Sequence, residues 1–366
     1  MKRAFLVLFV GFLMLALTVS ATDLGFKIGV VTSTVSQSED EYRGGEAVVA
    51  LYGDDVIHVT YPDNFMQEQE TTISQIVNLA HDSEVKAIVV AQAVPGTVPA
   101  IRKIREFRDD IVFVVVSPHE DPWIVSEEVD AALDQDQLSR GRTIVEVAHS
   151  MGAKVFLHYS FPRHMSYELL AQRRDLMKDT CDELGMEFVF VTAPDPMGEQ
   201  GISGTQQFMM EDIPRQIEVY GKDTNIFGTN CAMMEQIITQ VINTGAIFAE
   251  QCCPAPTHGY PGALGLAITD DMKGDMDKIV EAIDEKVREL GAGGRLATWP
   301  VAFNLEMTKA AAALAIEMIQ NGLNSDDMDA VLEVVEKSAD AEMRINRLDE
   351  DGNYYLLTSS SVIFGE

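Results

Sequence analysis

Residues Asp134 to Arg174, DQDQLSRGRTIVEVAHSMGAKVFLHYSFPRHMSYELLAQRR, carry the pattern that decides the fold. Four polar residues, Asp134, Gln135, Asp136 and Gln137, read as a crossover and lead into a stretch where Ile144, Val147, Ala148 and Met151 recur at helical spacing. Gly152 stops that helix. Val155 to Tyr159 is an apolar run of strand length, and Pro162, Arg163 and His164 form a loop. Ser166 stands where a hydroxyl caps the first free amides of a following helix. Strand ends that run into helix starts are where open α/β folds hold ligands, because unpaired N–H groups and polar side chains converge there.

The same alternation extends in both directions. Upstream, strands are predicted at Lys27–Val31, Val56–Thr60, Ala87–Ala91, Ile111–Val116 and Val129–Leu133, with helices at Glu39–Gly53, from about Glu68 to His81, and around Pro99–Phe107. Downstream, strands at Glu187–Thr192, Thr224–Thr229 and Ala246–Glu250 alternate with helices starting near Ser166, Ser203 and Met233. A long helix, Lys273–Leu290, is stopped by Gly291, Gly293 and Gly294, and the extended RLATWP (Arg295–Pro300) reads as a second crossover. An Ala-rich helix, Phe303–Gln320, returns to the first half. The tail from Asp326 holds one more helix and a strand pair turning at Asp351-Gly352-Asn353. This is the pattern of mostly parallel sheets covered on both faces, in two halves of similar build.

A pair of acidic and amide residues before a Gly-containing helix, then a strand, then a helix with an Arg-rich turn, resembles the first crossing of type I periplasmic solute-binding proteins. Within that superfamily the chain is most similar to a bacterial family catalogued as a domain of unknown function. The resemblance implies two Rossmann-like lobes joined by a multi-crossover hinge: residues 27–135 plus 300–325 as the N-terminal lobe, 136–298 as the C-terminal lobe, and 326–366 as a tail packing on them. A ligand that touches both lobes would stabilise a closed form.

The address precedes the fold. Lys2 and Arg3 stand before an apolar run, Ala4–Val19, and Val19-Ser20-Ala21 supplies small residues for cleavage, so residues 1–21 are expected to be a signal peptide and the mature chain to start near Thr22. An uncleaved anchor is the alternative, because the run approaches spanning length. With 27 Lys and Arg against 58 Asp and Glu, the net charge is −31, and no basic cluster interrupts it; a nucleic-acid partner is not expected. Cys181, Cys231, Cys252 and Cys253 allow no pairing to be read. Adjacent Cys252 and Cys253 bridge each other only with strain, and the CCPAPTH run ending in His258 lacks zinc spacing. Free or buried thiols, with no metal and no cofactor, are the expectation.

If the fold is of this type, the C-terminal strand ends line the cleft. The candidates are Ser33, Thr34, Gln92 and His119 from the first lobe, and Asp136, Arg163, His164, Arg173, Asn230, Gln251 and Trp299 from the second lobe and crossovers. The resemblance weights some of these. Asp136 falls where sugar-binding relatives place Asp or Asn after the first crossover, and Arg173 lies in the turn similar to their ligand-binding Arg. Asn230 sits where they place Asn or Asp, and Trp299 is beside their polar hinge residue. Each also has a plain structural reading: caps for Ser33 and Thr34, loop hydrogen bonds for His119 and His164, a solvated helix face for Arg173, and hinge packing for Trp299. His158, inside a strand, reads as a core histidine.

Amides, hydroxyls, one or two Arg and an aromatic suit a small polar ligand: a sugar, a nucleoside-like compound or an organic acid. The chain has no nucleophile elbow, HExxH, phosphate loop or dinucleotide fingerprint, so it does not read as an enzyme. The expected role is an exported solute-binding protein serving a membrane ABC-type transporter. A ligand-binding subunit for a membrane sensor and an exported α/β hydrolase are the alternatives.

Overall fold

The computed structural model describes residues 23–269, 272 and 275–365. The predicted leader with its cleavage site, and Lys273 at the start of the long downstream helix, lie outside the described residues. No described helix is long and apolar enough to cross a membrane.

The strands are β1 (Lys27–Thr32), β2 (Val56–Thr60), β3 (Val85–Ala91), β4 (Val112–Val116), β5 (Ala131–Gln135), β6 (Val155–Ser160), β7 (Glu187–Thr192), β8 (Thr224–Gly228), β9 (Ala297–Thr298), β10 (Arg344–Arg347), β11 (Tyr354–Thr358) and β12 (Val362–Ile363). The first sheet runs in the order β2-β1-β3-β4-β5-β11-β10, parallel except for the antiparallel pair β10 and β11. Its central strands are runs of Val, Ile and Ala because both faces are covered. One apolar layer lies under helix Phe303–Asn321, the other under helices Gln69–Leu79 and Thr97–Arg105. Helix Glu39–Tyr52 reaches helix Phe303–Asn321 through Gly44: a Cβ there would lie 2.8 Å from Thr308 Cβ, so only glycine allows this approach.

The second sheet is β7-β6-β8, all parallel, and single bridges Asn225↔Ile247 and Phe248↔Leu296 carry it on towards β9 and β12. The strand predicted at Ala246–Glu250 is therefore reduced to two bridged residues. The Asn225 side-chain oxygen accepts from Ala249 N at 2.9 Å, taking the place of a ladder carbonyl. A second difference lies at Ser166. A short helix, Pro162–Met165, precedes the main helix Glu168–Leu184, and the Ser166 hydroxyl donates back to Arg163 O at 2.6 Å instead of capping forward.

Among the described residues the chain passes between lobes after β5, after β9 and after β11. Residues expected as a tail thus enter both sheets: β11 inserts between β5 and β10, and β12 pairs with β9. Asp136 caps helix Gln137–Ser150 at the first passage, accepting from Ser139 N at 2.8 Å and Ser139 Oγ at 2.6 Å; it also accepts from Asn346 Nδ2 at 2.7 Å.

A buried ion network holds the passages together. Arg140, fully buried, donates through Nε to Glu250 Oε1 at 2.8 Å, through one terminal nitrogen to the Gln251 carbonyl at 2.8 Å, and through the other to Gln135 Oε1 and to Gln137 Oε1. Trp299 Nε1 donates to the other oxygen of Glu250 at 2.6 Å, and the Arg140 guanidinium lies 5.6 Å from the Trp299 ring. Satisfying every oxygen of a buried carboxylate in this way is what makes its burial tolerable.

Candidate functional site

The lobes face each other across a cleft of about 1450 Å³. Its first-lobe wall comes from the ends of β3 and β4, the start of helix Glu39–Tyr52 and residues Asn304 to Lys309. Its second-lobe wall comes from residues 163–173, the β8 end and the loop 252–262. The lobes already touch at the rim: Thr257 Oγ1 donates to Asp40 at 2.8 Å, and the rings of His119 and Tyr167 stack at 5.8 Å.

β3 and β4 are followed by non-glycine residues in the left-handed region, Gln92 (φ 58) and Ser117 (φ 43). Such backbone costs on the order of 1 kcal/mol or more per residue and gathers at functional sites. Here it turns two strand ends onto the cleft. His119 N–H donates to Gln92 O at 3.2 Å and so fixes the two turns together. Burial, and then the nearby charge of Arg163, pulls the His119 imidazole down to about 4, so it is neutral at physiological pH.

Among the described residues, five polar atoms of cleft-lining residues are buried without a protein partner: Ser117 Oγ, His119 Nδ1 and Asn304 Oδ1 from the first lobe, Arg173 Nε and Gln236 Oε1 from the second. Unpaired buried polar atoms are rare in folded proteins, and the residues that carry these line the cleft from both lobes. Arg173 is the strongest of them. It is 1% exposed, its protein hydrogen bond runs to Gln137 Oε1, and its guanidinium lies 5.0 Å from the Phe227 ring. Among the described residues no carboxylate is hydrogen-bonded to it, and Glu250 is bonded to Arg140 and Trp299. Burial and then the charge of Arg140 pull Arg173 down to about 9. It stays protonated at neutral pH as a dehydrated cation, which an incoming anion would complete.

The structure brings Gln92, His119, Arg163, His164, Arg173 and Asn230 onto the cleft surface. Their states differ. Arg163 is bidentate to Asp195 at 2.9 and 2.8 Å and so is already neutralised. His164 Nδ1 meets Thr229 Oγ1 at 3.2 Å, and burial holds its ring down to about 3. Asn230 uses its side-chain oxygen to cap the turn 231–233, accepting from Ala232 N at 2.9 Å.

Ser33, Thr34, Asp136, Gln251 and Trp299 do not line the cleft. Ser33 donates to Ser38 O, Thr34 is bonded with Ser36 and Asp63, and Asp136 is a helix cap. Gln251 accepts from Thr298 Oγ1 at 2.8 Å and donates to Ala255 O at 2.8 Å; together with Trp299 it organises the hinge. Ser117, Asn304 and Gln137 were missed by the reading from sequence. Ser117 stood in a strand-end run, a weak signal, while Asn304 is hidden inside an apolar helix. His158 is buried as expected, but neither ring nitrogen has a protein partner, and burial holds it down to about 3 among Phe188, Phe190 and Phe227.

The profile of a family described as "Protein of unknown function (DUF3798)" matches residues 26–297. The chain belongs to the DUF3798 family. A crystal structure from Clostridium difficile 630, described as that of a candidate transcriptional regulator, is similar to this DUF3798 chain at 32% identity and a TM-score of 0.78, covering 94% of this chain and all of that one. An uncharacterized protein of Treponema pallidum (strain Nichols) is 37% identical over 180 residues, 47% of this chain and 81% of that protein. The substrate-binding protein of a sugar ABC transport system from Bordetella parapertussis 12822 shares the fold at 12% identity, with a TM-score of 0.58 over 92% of this chain and 89% of that one. The DUF3798 chain thus has the two-lobed α/β fold of type I periplasmic solute-binding proteins.

Behind the first-lobe wall of this DUF3798 chain, Glu41 is buried and accepts from Tyr61 Oη and Asn304 Nδ2 at 3.2 Å each, which orients the cleft residue Asn304. Burial pushes its carboxyl up from 4.5 to about 8. Between those two pH values the native chain holds a proton that the unfolded chain has lost, so stability falls as pH rises through that window and the loss is complete above it. The expected size is on the order of 4 kcal/mol. Glu41→Gln should remove this slope and melt higher than the parent at pH 8.5, with little difference at pH 5. Parallel melting curves at the two pH values check it.

Proposed function

We propose that the protein is an exported solute-binding protein that captures a small polar molecule with an anionic group, an organic acid or acidic sugar, between its lobes. It then delivers that molecule to a membrane ABC-type transporter. The observation that carries this reading is Arg173: a buried guanidinium on the cleft wall with one side-chain hydrogen bond, to Gln137, among the described residues, while Ser117, His119 and Asn304 line the same cleft from the other lobe. A carboxylate on Arg173 and hydroxyls on the opposite wall would join the lobes and favour closure by the difference in affinity between the two states. Sites 27–135 with 300–325, and 136–298, act in this reading as the two jaws. Supporting the role, proteins of this fold include substrate-binding subunits of ABC systems.

A second output is kept because of the Clostridium difficile relative: the closed form would be read as a signal and not unloaded. Both readings are tested by thermal-shift screening of a metabolite library on protein beginning at Thr22, with mass spectrometry of co-purifying molecules. The expected hit is a small anion that raises the melting temperature and is recovered unchanged. Chemical conversion of the hit would favour the hydrolase alternative, and failure of all anionic compounds would overturn the anion assignment. Uptake of the labelled hit by cells with and without the gene for this protein separates uptake from signalling.

A further inference from the structure

Three of the four cysteines meet on the second-lobe wall of the cleft, and solute capture as proposed does not use them. Cys231 opens the turn after β8, while Cys252 and Cys253 follow the hinge residue Gln251. The Cys231 sulfur lies 3.6 Å from that of Cys252 and 3.8 Å from that of Cys253, and none is bridged. His258 joins them: one ligand atom each from Cys231, Cys252 and His258 lie within 4.8 Å of one another.

The histidine is oriented for a further bond. His258 Nδ1 stands 2.7 Å from the Cys253 carbonyl oxygen, which can only accept, so in the neutral ring Nδ1 is the donor and the lone pair is on Nε2. Donation of one ring N–H to a backbone carbonyl is the arrangement that fixes metal-bound imidazoles. The sulfur spacing points the same way. A tetrahedral zinc–thiolate centre with bonds of about 2.3 Å has sulfur–sulfur edges of about 3.8 Å. A disulfide would need about 2.0 Å.

We infer that Cys231, Cys252 and His258 bind a thiophilic divalent metal ion of the zinc class. Two thiolates and an imidazole form a soft donor set that suits zinc and disfavours magnesium or calcium, which prefer oxygen. The site also lines the solute cleft, so a bound ion would stand beside whatever enters there. No spacing signature announces it, because its ligands come from two loops of the second lobe. The inference rests on the thiols and His258 alone and stands or falls apart from solute capture.

The test uses the full protein, reduced and stripped with a chelator under anaerobic conditions, titrated first with Zn²⁺ alone and then with Co²⁺ as an absorbing substitute. One ion per chain should survive dialysis, and cobalt should show sulfur-to-metal charge-transfer absorption. Cys231→Ser and Cys252→Ser should each weaken binding on the order of 100-fold, and His258→Gln about 10-fold or more with altered visible bands. Cys181→Ser, whose sulfur is buried in a separate apolar cluster, should bind as the parent does. Should a cysteine variant fail to fold, protection of the cleft thiols from alkylation by Zn²⁺ in the unaltered protein decides the matter. No charge-transfer band, binding indifferent to Cys252→Ser and His258→Gln, or a disulfide among these cysteines formed in the presence of Zn²⁺ would each overturn the assignment.

Discussion

Arg173→Met should abolish solute capture, weakening it by about 100-fold or more, while leaving the ligand-free protein as stable as the parent or slightly more stable. The two effects separate because Arg173 contributes little to the empty fold. Its hydrogen bond goes to Gln137 Oε1, an oxygen that Arg140 also uses, and its Nε has no protein partner. Methionine fills similar volume beside Phe227 without a charge to desolvate. Titration of parent and variant with the compound found by the metabolite screen, alongside melting of the empty proteins, checks both halves. Unchanged affinity together with a melting loss of several degrees would show that the side chain is structural.

The second large effect is on stability. Arg140→Met should destabilise the protein by about 3–5 kcal/mol, because it strands Glu250 in the hinge with only Trp299 Nε1 to hold one oxygen. It also removes the donor to the Gln251 carbonyl, loosening the loop that follows. Converting both partners, Arg140→Met with Glu250→Met, should recover most of the loss, since the cost lies in the uncompensated charge and not in the missing attraction. Urea unfolding of the parent, both single variants and the double variant measures the coupling. A double variant as unstable as Arg140→Met would mean that Arg140 acts through its contacts with Gln135 and Gln251 and not through the ion pair.

Much of the fold was legible because parallel strands buried on both faces leave a strong mark. The Val- and Ile-rich runs at β1 to β4 and the Ala-Ala-Leu of β5 place those strands to within a few residues. Ala246–Glu250 carried the same mark without forming a strand, since whether a neighbour offers a carbonyl or an Asn side chain is decided in space. The site was harder. Arg173 and Asn230 could be reached through resemblance, and Gln92 and His119 through their positions at strand ends. Ser117 owes its place on the cleft wall to a left-handed backbone, and Asn304 its orientation to Glu41 behind it; neither leaves a pattern in one dimension. Trp299 and Gln251 were expected in the cleft by the same logic but are bonded within the hinge, and only their partners tell the two places apart.

The insertion of β11 between β5 and β10, followed by the pairing of β12 with β9, has a consequence for how the protein is made. The first sheet is not complete until β11 (Tyr354–Thr358) has been made, and β9 has no partner until β12 follows, so β5 keeps an open edge from its own synthesis until then. Truncation before Tyr354 would leave the β5 edge unpaired and open to association with other chains.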